Sequence, residues 1–179
     1  MHILLAPDSF KESLSAKQVA ESLKKGFQEA LPNATFDLLP IGDGGEGTMD
    51  TLAGVLDLTE YQTQVTGPFG QPVSVSYYQK DQMAFFEMAS LVGLGSIPAE
   101  KRNPLELETR GIGELILQLV GLGVKTLCVG IGGSATNDGG IGMAAGLGVA
   151  FYDEQGHLLR PVGASLGRVA RIDTSAVPK

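Results

Sequence analysis

Leu127-Cys-Val-Gly-Ile-Gly-Gly-Ser-Ala-Thr-Asn-Asp-Gly-Gly-Ile-Gly-Met-Ala-Ala-Gly-Leu147 is the stretch that decides how this chain is read. It opens inside an apolar run, residues 124–131, that has the length and composition of a buried parallel strand. The run then breaks into a loop of glycines, hydroxyls, one amide and one carboxylate. Glycines at Gly132, Gly133, Gly139 and Gly140 permit positive φ and leave backbone N–H groups uncovered, an arrangement that lets an anion such as phosphate approach the main chain. Ser134, Thr136 and Asn137 add neutral hydrogen-bonding groups. Asp138 repels phosphate and suits Mg²⁺ or a transferred proton instead. The competing reading is a glycine-rich turn that does no more than pack tightly.

Two phosphate motifs can be tested on these letters. A P-loop needs Gly-Lys followed by Ser or Thr, and the chain contains no Gly-Lys dipeptide. A dinucleotide fingerprint is matched in part, since Gly130, Gly132 and Ala135 fit G-x-G-x-x-A, and Asp153 closes the next apolar run over residues 147–152. Such a motif should run directly into a helix, whereas Asn137-Asp138-Gly139-Gly140 would interrupt the first turn at about 1 kcal/mol per glycine. A dinucleotide-binding oxidoreductase is therefore the second reading of the loop.

Working outward, the frame is that of an α/β protein. A chain of 179 residues that is 43% hydrophobic has material for one core or a little more. A net charge of −7 without a Lys/Arg-rich run argues against nucleic acid or an anionic membrane as partner. The single Cys128 has no partner for an internal disulfide and reads as a core thiol. The first residues carry no basic leader and reach Pro7-Asp8 too soon for a signal peptide, so a cytoplasmic location is expected.

The N-terminal residues 3–6 read as a short strand, followed by a polar loop, Pro7-Asp8-Ser9-Phe10-Lys11-Glu12-Ser13, and a helix capped by Ser15. Val19, Leu23 and Phe27 recur on it at helical spacing. A second unit repeats this order: strand 36–41, loop Gly42-Asp43-Gly44-Gly45-Glu46-Gly47-Thr48, helix 49–56. Consecutive strand-loop-helix units put both loops at one edge of a parallel sheet, where such sheets bind ligands. Asp8, Ser9 and Lys11 then face a cleft, Asp43 is a candidate metal ligand or base, and Glu46 near a helix start could serve as a favourable N-terminal charge. Four glycines within residues 42–47 exceed what a simple turn requires.

From Tyr61 the pattern changes to short alternating runs separated by Gly67-Pro68-Phe69-Gly70 and Lys80-Asp81-Gln82, which are hairpin signals. The shift places a domain boundary near Val65, with residues 1–64 in an outer β/α domain and 65–179 in an inserted mixed α/β domain. Glu87 and Ser90 are secondary cleft candidates. Thr109 and Arg110 open a helix that stops at Gly121-Leu122-Gly123, and Arg110 sits near its N-terminus, where an anion is favoured. His2 and His157 receive no role.

Taken together, loops 7–13, 42–48 and 130–140, with Glu87-Met88-Ala89, Pro98-Ala99-Glu100-Lys101-Arg102 and Arg110-Gly111-Ile112-Gly113-Glu114-Leu115-Ile116, resemble the type I bacterial glycerate kinases. The likeness runs from Met1 to the end of the chain. It implies transfer of phosphate from ATP, with Mg²⁺, to a hydroxyl of D-glycerate, on a parallel-sheet β/α domain carrying an inserted mixed α/β domain. Two departures accompany it. Family members are about twice this long, so the chain is expected to be an N-terminal portion with exposed sheet edges open to self-association, and a non-catalytic remnant binding an anion or a partner is a third reading. Residues 90–96 also differ from the family's usual small-residue run, which weakens Ser90. Because phosphoryl transfer relies on positioning and charge neutralisation, Lys11 is expected to neutralise the transferring phosphate. Asp43 and Asp138 would divide Mg²⁺ binding and proton acceptance. Asp8, Ser9, Gly44, Gly45, Glu46, Gly132, Gly133, Ser134, Thr136 and Asn137 would contact phosphate or substrate, and Arg110 would pair with the glycerate carboxylate.

Overall fold

The computed structural model describes residues 1–178. It begins with β1 (His2–Leu5) and α1 (Ala16–Ala30). The start of α1 is fixed locally by a reciprocal capping box, in which Ser15 Oγ accepts the Gln18 N–H at 3.3 Å and Gln18 Oε1 accepts the Ser15 N–H at 2.9 Å. β2 (Thr35–Leu38) pairs with β1 in parallel, Ile3 opposite Phe36, so the repeated strand-loop-helix order does set both following loops at one edge. These strands form a two-stranded sheet of their own. It covers only the first turns of α1: Ala16, Val19 and Ala20 are buried, while Leu23 and Phe27 remain exposed on the same helical face.

After α2 (Thr48–Leu56), a second and larger sheet is built in the order β3-β4-β5-β6. β3 (Thr59–Thr66), β4 (Pro72–Lys80) and β5 (Met83–Glu87) are antiparallel, as the hairpin signals predict. The division between residues 64 and 65 falls inside β3. A short α3 (Ala89–Val92) and α4 (Arg110–Gly121) carry the chain to β6 (Thr126–Gly130), which lies parallel to β5 with Glu87 opposite Gly130. The main core lies between this sheet and α4, where Val75, Tyr77, Phe86, Leu91, Val92, Ile112, Leu115 and Leu119 are all buried. Complete burial of a side chain such as Phe86 or Leu115 stabilises by about 1.5–3 kcal/mol relative to exposure.

The strand expected to be buried on both faces is parallel, but β6 is the outer strand of its sheet and only half-buried. α5 (Ile141–Gly146) packs against α4 with almost no space between the backbones. A Cβ at Gly113 would strike the Met143 carbonyl, and one at Gly146 the Arg110 carbonyl. The chain closes with β7 (Ala150–Tyr152) antiparallel to β8 (Arg171–Asp173). No helix among the described residues is long and apolar enough to cross a membrane.

Candidate active site

Three glycine- and polar-rich loops meet at the carboxyl ends of β1, β2 and β6. The Gly132 N–H donates to the Gly44 carbonyl at 2.9 Å, so the loops after β2 and β6 touch backbone to backbone. A Cβ at Gly132 would lie 2.8 Å from the Gly45 nitrogen, and one at Gly130 would lie 2.5 Å from the Gly44 oxygen. These glycines are required by the close approach of two chains. The first loop joins them through Lys11, whose Nζ is 3.8 Å from Asp43 Oδ2; both side chains are more than half exposed. The other Asp43 oxygen accepts the Gly45 N–H at 2.7 Å, which aims Oδ2 at the lysine.

A cleft of about 1040 Å³ opens beside this pair and is lined by Asp8, Ser9, Lys11, Glu46, Glu87 and Ser90 among others. Asp8 is exposed and accepts its neighbour's N–H, from Ser9, at 2.6 Å. Ser90 spends its hydroxyl on the Glu87 carbonyl at 2.8 Å. Glu87 is 7% exposed. It receives the Gly47 N–H at 2.9 Å and the Met49 N–H at 3.1 Å, and so supplies from β5 the negative charge at the start of α2 that Glu46 was expected to provide. Burial pushes the Glu87 carboxyl above the usual range, with the Gly47 and Met49 donors opposing that rise. The Arg102 guanidinium bonds Glu12 Oε1 at 3.0 Å and the Ile97 carbonyl at 3.0 Å, tying the first loop to the segment after α3. Neither this pairing nor the Glu87 cap has a local sequence signal, because the partners lie 90 and 40 positions apart.

Asp138 is placed elsewhere. It is 3% exposed, and its carboxylate accepts the Thr109 N–H (2.9 Å), the Thr109 hydroxyl (2.7 Å), the Gly142 N–H (3.2 Å) and the Gly140 N–H (2.9 Å). Thr109 Oγ1 in turn accepts the Met143 N–H at 2.8 Å. This network joins the starts of α4 and α5, with three donors on Oδ2 and one on Oδ1. Asp138 thus borders a second cleft, of about 420 Å³, with Ser134, Thr136 and Asn137. Gly133, at φ 71°, and Ser134 follow the contact with Gly44, and among the described residues their N–H groups have no protein acceptor. Both residues are exposed, so these donors are open to an anion. Arg110 lines neither cleft; its Nε lies 4.0 Å from Glu108 Oε2, on a buried carboxylate that desolvation pushes up and Arg110 pulls down.

The donor sets discriminate between the two expected metal ligands. Mg²⁺ is commonly held by one or two carboxylates together with substrate phosphates. Asp43, exposed and with Oδ2 turned toward Lys11, fits as one such ligand. Asp138 is less suited, since it is buried and three of its four donors crowd Oδ2. Among the described residues no three His, Cys, Asp or Glu side chains converge. A dinucleotide site fits no better. After Ala135, whose N–H bonds the Val92 carbonyl at 2.7 Å, no helix starts until Ile141. Asp153, in place of facing a ribose, accepts N–H groups from Gln155 and His157 and pairs with Arg168.

A family model for the glycerate kinase family matches residues 3–179. The chain belongs to the glycerate kinase family. A glycerate kinase of Neisseria meningitidis serogroup B is 57% identical over 174 residues, covering 97% of this chain and 47% of the relative. The glycerate 2-kinase of Escherichia coli K12 is 45% identical over 179 residues, covering 99% and 47% respectively. A crystal structure described as glycerate kinase 2 from Salmonella typhimurium LT2 superposes with a TM-score of 0.75 at 42% identity, over 99% of this chain and 48% of that one. The chain thus spans about half the length of the glycerate kinases it matches, and the α/β architecture is that of the same half.

Proposed function

We propose that this polypeptide supplies the Lys11–Asp43 centre for ATP-dependent phosphorylation of a D-glycerate hydroxyl. The observation that carries the reading is the convergence of the three loops around that pair, on a chain of the glycerate kinase family. Phosphoryl transfer asks a protein mainly to hold reactants in line and to neutralise charge on the transferring group. Lys11 provides the mobile positive charge. The free N–H groups of Gly133 and Ser134 bind phosphate oxygens, with Thr136 and Asn137 farther along the same loop. Gly44, Gly45 and Gly132 keep the loops close enough for both sets of donors to reach one ligand. Asp8, Ser9 and Glu46 line the cleft with groups that accept or exchange hydrogen bonds with glycerate hydroxyls. Asp43 would hold Mg²⁺, which supplies charge neutralisation on the phosphates when bound.

Asp138 acts in this scheme through the loop it anchors, and Arg110 has no part in it. The test is incubation with MgATP and D-glycerate, following ADP and phosphoglycerate, on this chain and on the full-length Neisseria relative carrying the matching substitutions. Turnover in the full-length protein that falls at least a hundredfold with Lys11→Ala supports the reading. Unchanged turnover removes the centre. ADP binding without ADP formation in both proteins points to an anion-binding remnant.

A further inference from the structure

The crest formed by residues 130–133 has two sides. Gly130 and Gly132 face the 42–47 loop, while Val129 and Ile131, alternating with them along the strand, line the second cleft. The floor of that cleft is apolar, with Ile112, Ile116, Val129 and Met143, and its rim carries Thr136 and Asn137. Their side chains have no hydrogen-bond partner among the described residues, whereas Asp138 and Thr109 are bonded to each other and to the start of α5. An apolar floor with a few neutral donors and acceptors at one edge matches a heteroaromatic ring that carries hydrogen-bonding atoms on its perimeter. At about 420 Å³ the space lies within the range of small-ligand sites. No Lys or Arg lines it, which disfavours a phosphate there and separates it chemically from the Lys11 cleft.

We propose that this second cleft binds the base of the nucleoside phosphate donor, with Ile116 and Val129 beneath the ring and Asn137 at its edge. The phosphates then pass over Gly133 and Ser134 toward Lys11. The inference rests on the kinase reading given above, since it assigns the base end of the same donor.

Titration calorimetry of this chain with ADP and, separately, with pyrophosphate, both with Mg²⁺, tests the proposal. Ile116→Trp, which fills the cleft, is expected to weaken ADP binding at least tenfold and to leave pyrophosphate binding within twofold. Asn137→Ala, at an exposed position where folding is not at stake, is expected to weaken ADP at least threefold and to narrow the preference for ADP over inosine diphosphate. Lys11→Ala should do the reverse, weakening pyrophosphate as much as ADP. ADP binding untouched by both cleft variants would overturn the base site while leaving the kinase centre standing. Equal losses of ADP and pyrophosphate in Ile116→Trp would also overturn it. So would a wild-type chain that binds no ADP, in which case the turnover assay on the full-length relative judges the kinase reading separately. A wild-type dimer dissolved by Ile116→Trp would assign the cleft to a second copy of the chain and overturn the proposal.

Discussion

Replacing Asp138 by asparagine or alanine separates an anchoring carboxylate from a catalytic one. In the structure Oδ2 takes three donors, from Thr109 twice and Gly142 once, and Oδ1 takes the Gly140 N–H. An asparagine that keeps its oxygen at the Oδ2 position preserves three contacts, loses the charge that strengthens them, and turns an NH₂ group against the Gly140 N–H. Charge-assisted hydrogen bonds contribute about 1 kcal/mol more than neutral ones, and an unsatisfied buried donor costs about 1–3 kcal/mol, part of which is offset by no longer burying a charge. A net loss of about 2 kcal/mol is expected for Asp138→Asn, a fall of about 4–8 °C in melting temperature for a chain of this size. Asp138→Ala strips every acceptor from the network and should cost about 4 kcal/mol or more. The chain has no tryptophan, so urea unfolding is followed by circular dichroism. Asp138 is not an anchor if both variants stay within about 0.5 kcal/mol of the parent, the range of an unremarkable surface substitution. The same conclusion follows if Asp138→Asn leaves stability intact and raises the Mg²⁺ requirement of the full-length relative.

At the cleft itself, Lys11→Ala in the full-length relative should lower turnover at least a hundredfold, as loss of a charge-stabilising donor costs about 2.7–4 kcal/mol in the transition state. Its exposed pairing with Asp43 should move stability by less than about 1 kcal/mol, checked by urea unfolding. Asp43→Asn should be partly rescued by raised Mg²⁺, because the amide keeps a neutral oxygen ligand; a rate that stays low at every Mg²⁺ concentration would make Asp43 the proton acceptor. Gly132→Ala should separate the two loops and destabilise by about 1–3 kcal/mol, whereas Gly26→Ala, in the interior of α1 with nothing within 4 Å of the added carbon, should stabilise by about 0.5–1 kcal/mol. Glu87 holds its proton more tightly folded than unfolded, so its contribution is complete below its ordinary value of 4.5 and is lost as pH rises through the raised folded value. The stability difference between wild type and Glu87→Gln should therefore shift against wild type as pH rises above 4.5, read from urea unfolding at successive pH values.

What the letters disclosed and what they withheld follow from the range of each interaction. Ser15 and Gln18 are three positions apart, so the start of α1 is written locally, and the parallel pairing of β1 with β2 follows from two consecutive units of the same order. The hairpins announce themselves through Gly67-Pro68-Phe69-Gly70 and Lys80-Asp81-Gln82. Glycine content marked where loops 42–47 and 130–133 are special, but not that the glycines face each other. Asp138 looked like chemistry because a carboxylate among glycines suits a metal. Its four donors come from a helix start 29 positions upstream and from the turn beyond it, and neither is visible without the fold. Leu23 and Phe27 have the spacing of a core face, yet a two-stranded sheet is too narrow to cover the length of α1.

That narrow sheet gives the molecule an uneven resistance to opening. Of the residues in β1 and β2 only Leu5 is buried, whereas β4, β5 and α4 meet in a dense core. Amide hydrogens of β1, β2 and the far end of α1 should exchange with solvent through small local openings, long before those of Phe86 or Leu115, which wait for global unfolding. Lys11 is carried by the loose part and Glu87 by the firm part. The clasps between them include the Gly132–Gly44 bond, the Glu87 cap on α2 and the Arg102–Glu12 pair, so that closure of the lysine loop around a ligand would draw on these contacts and leave the core in place.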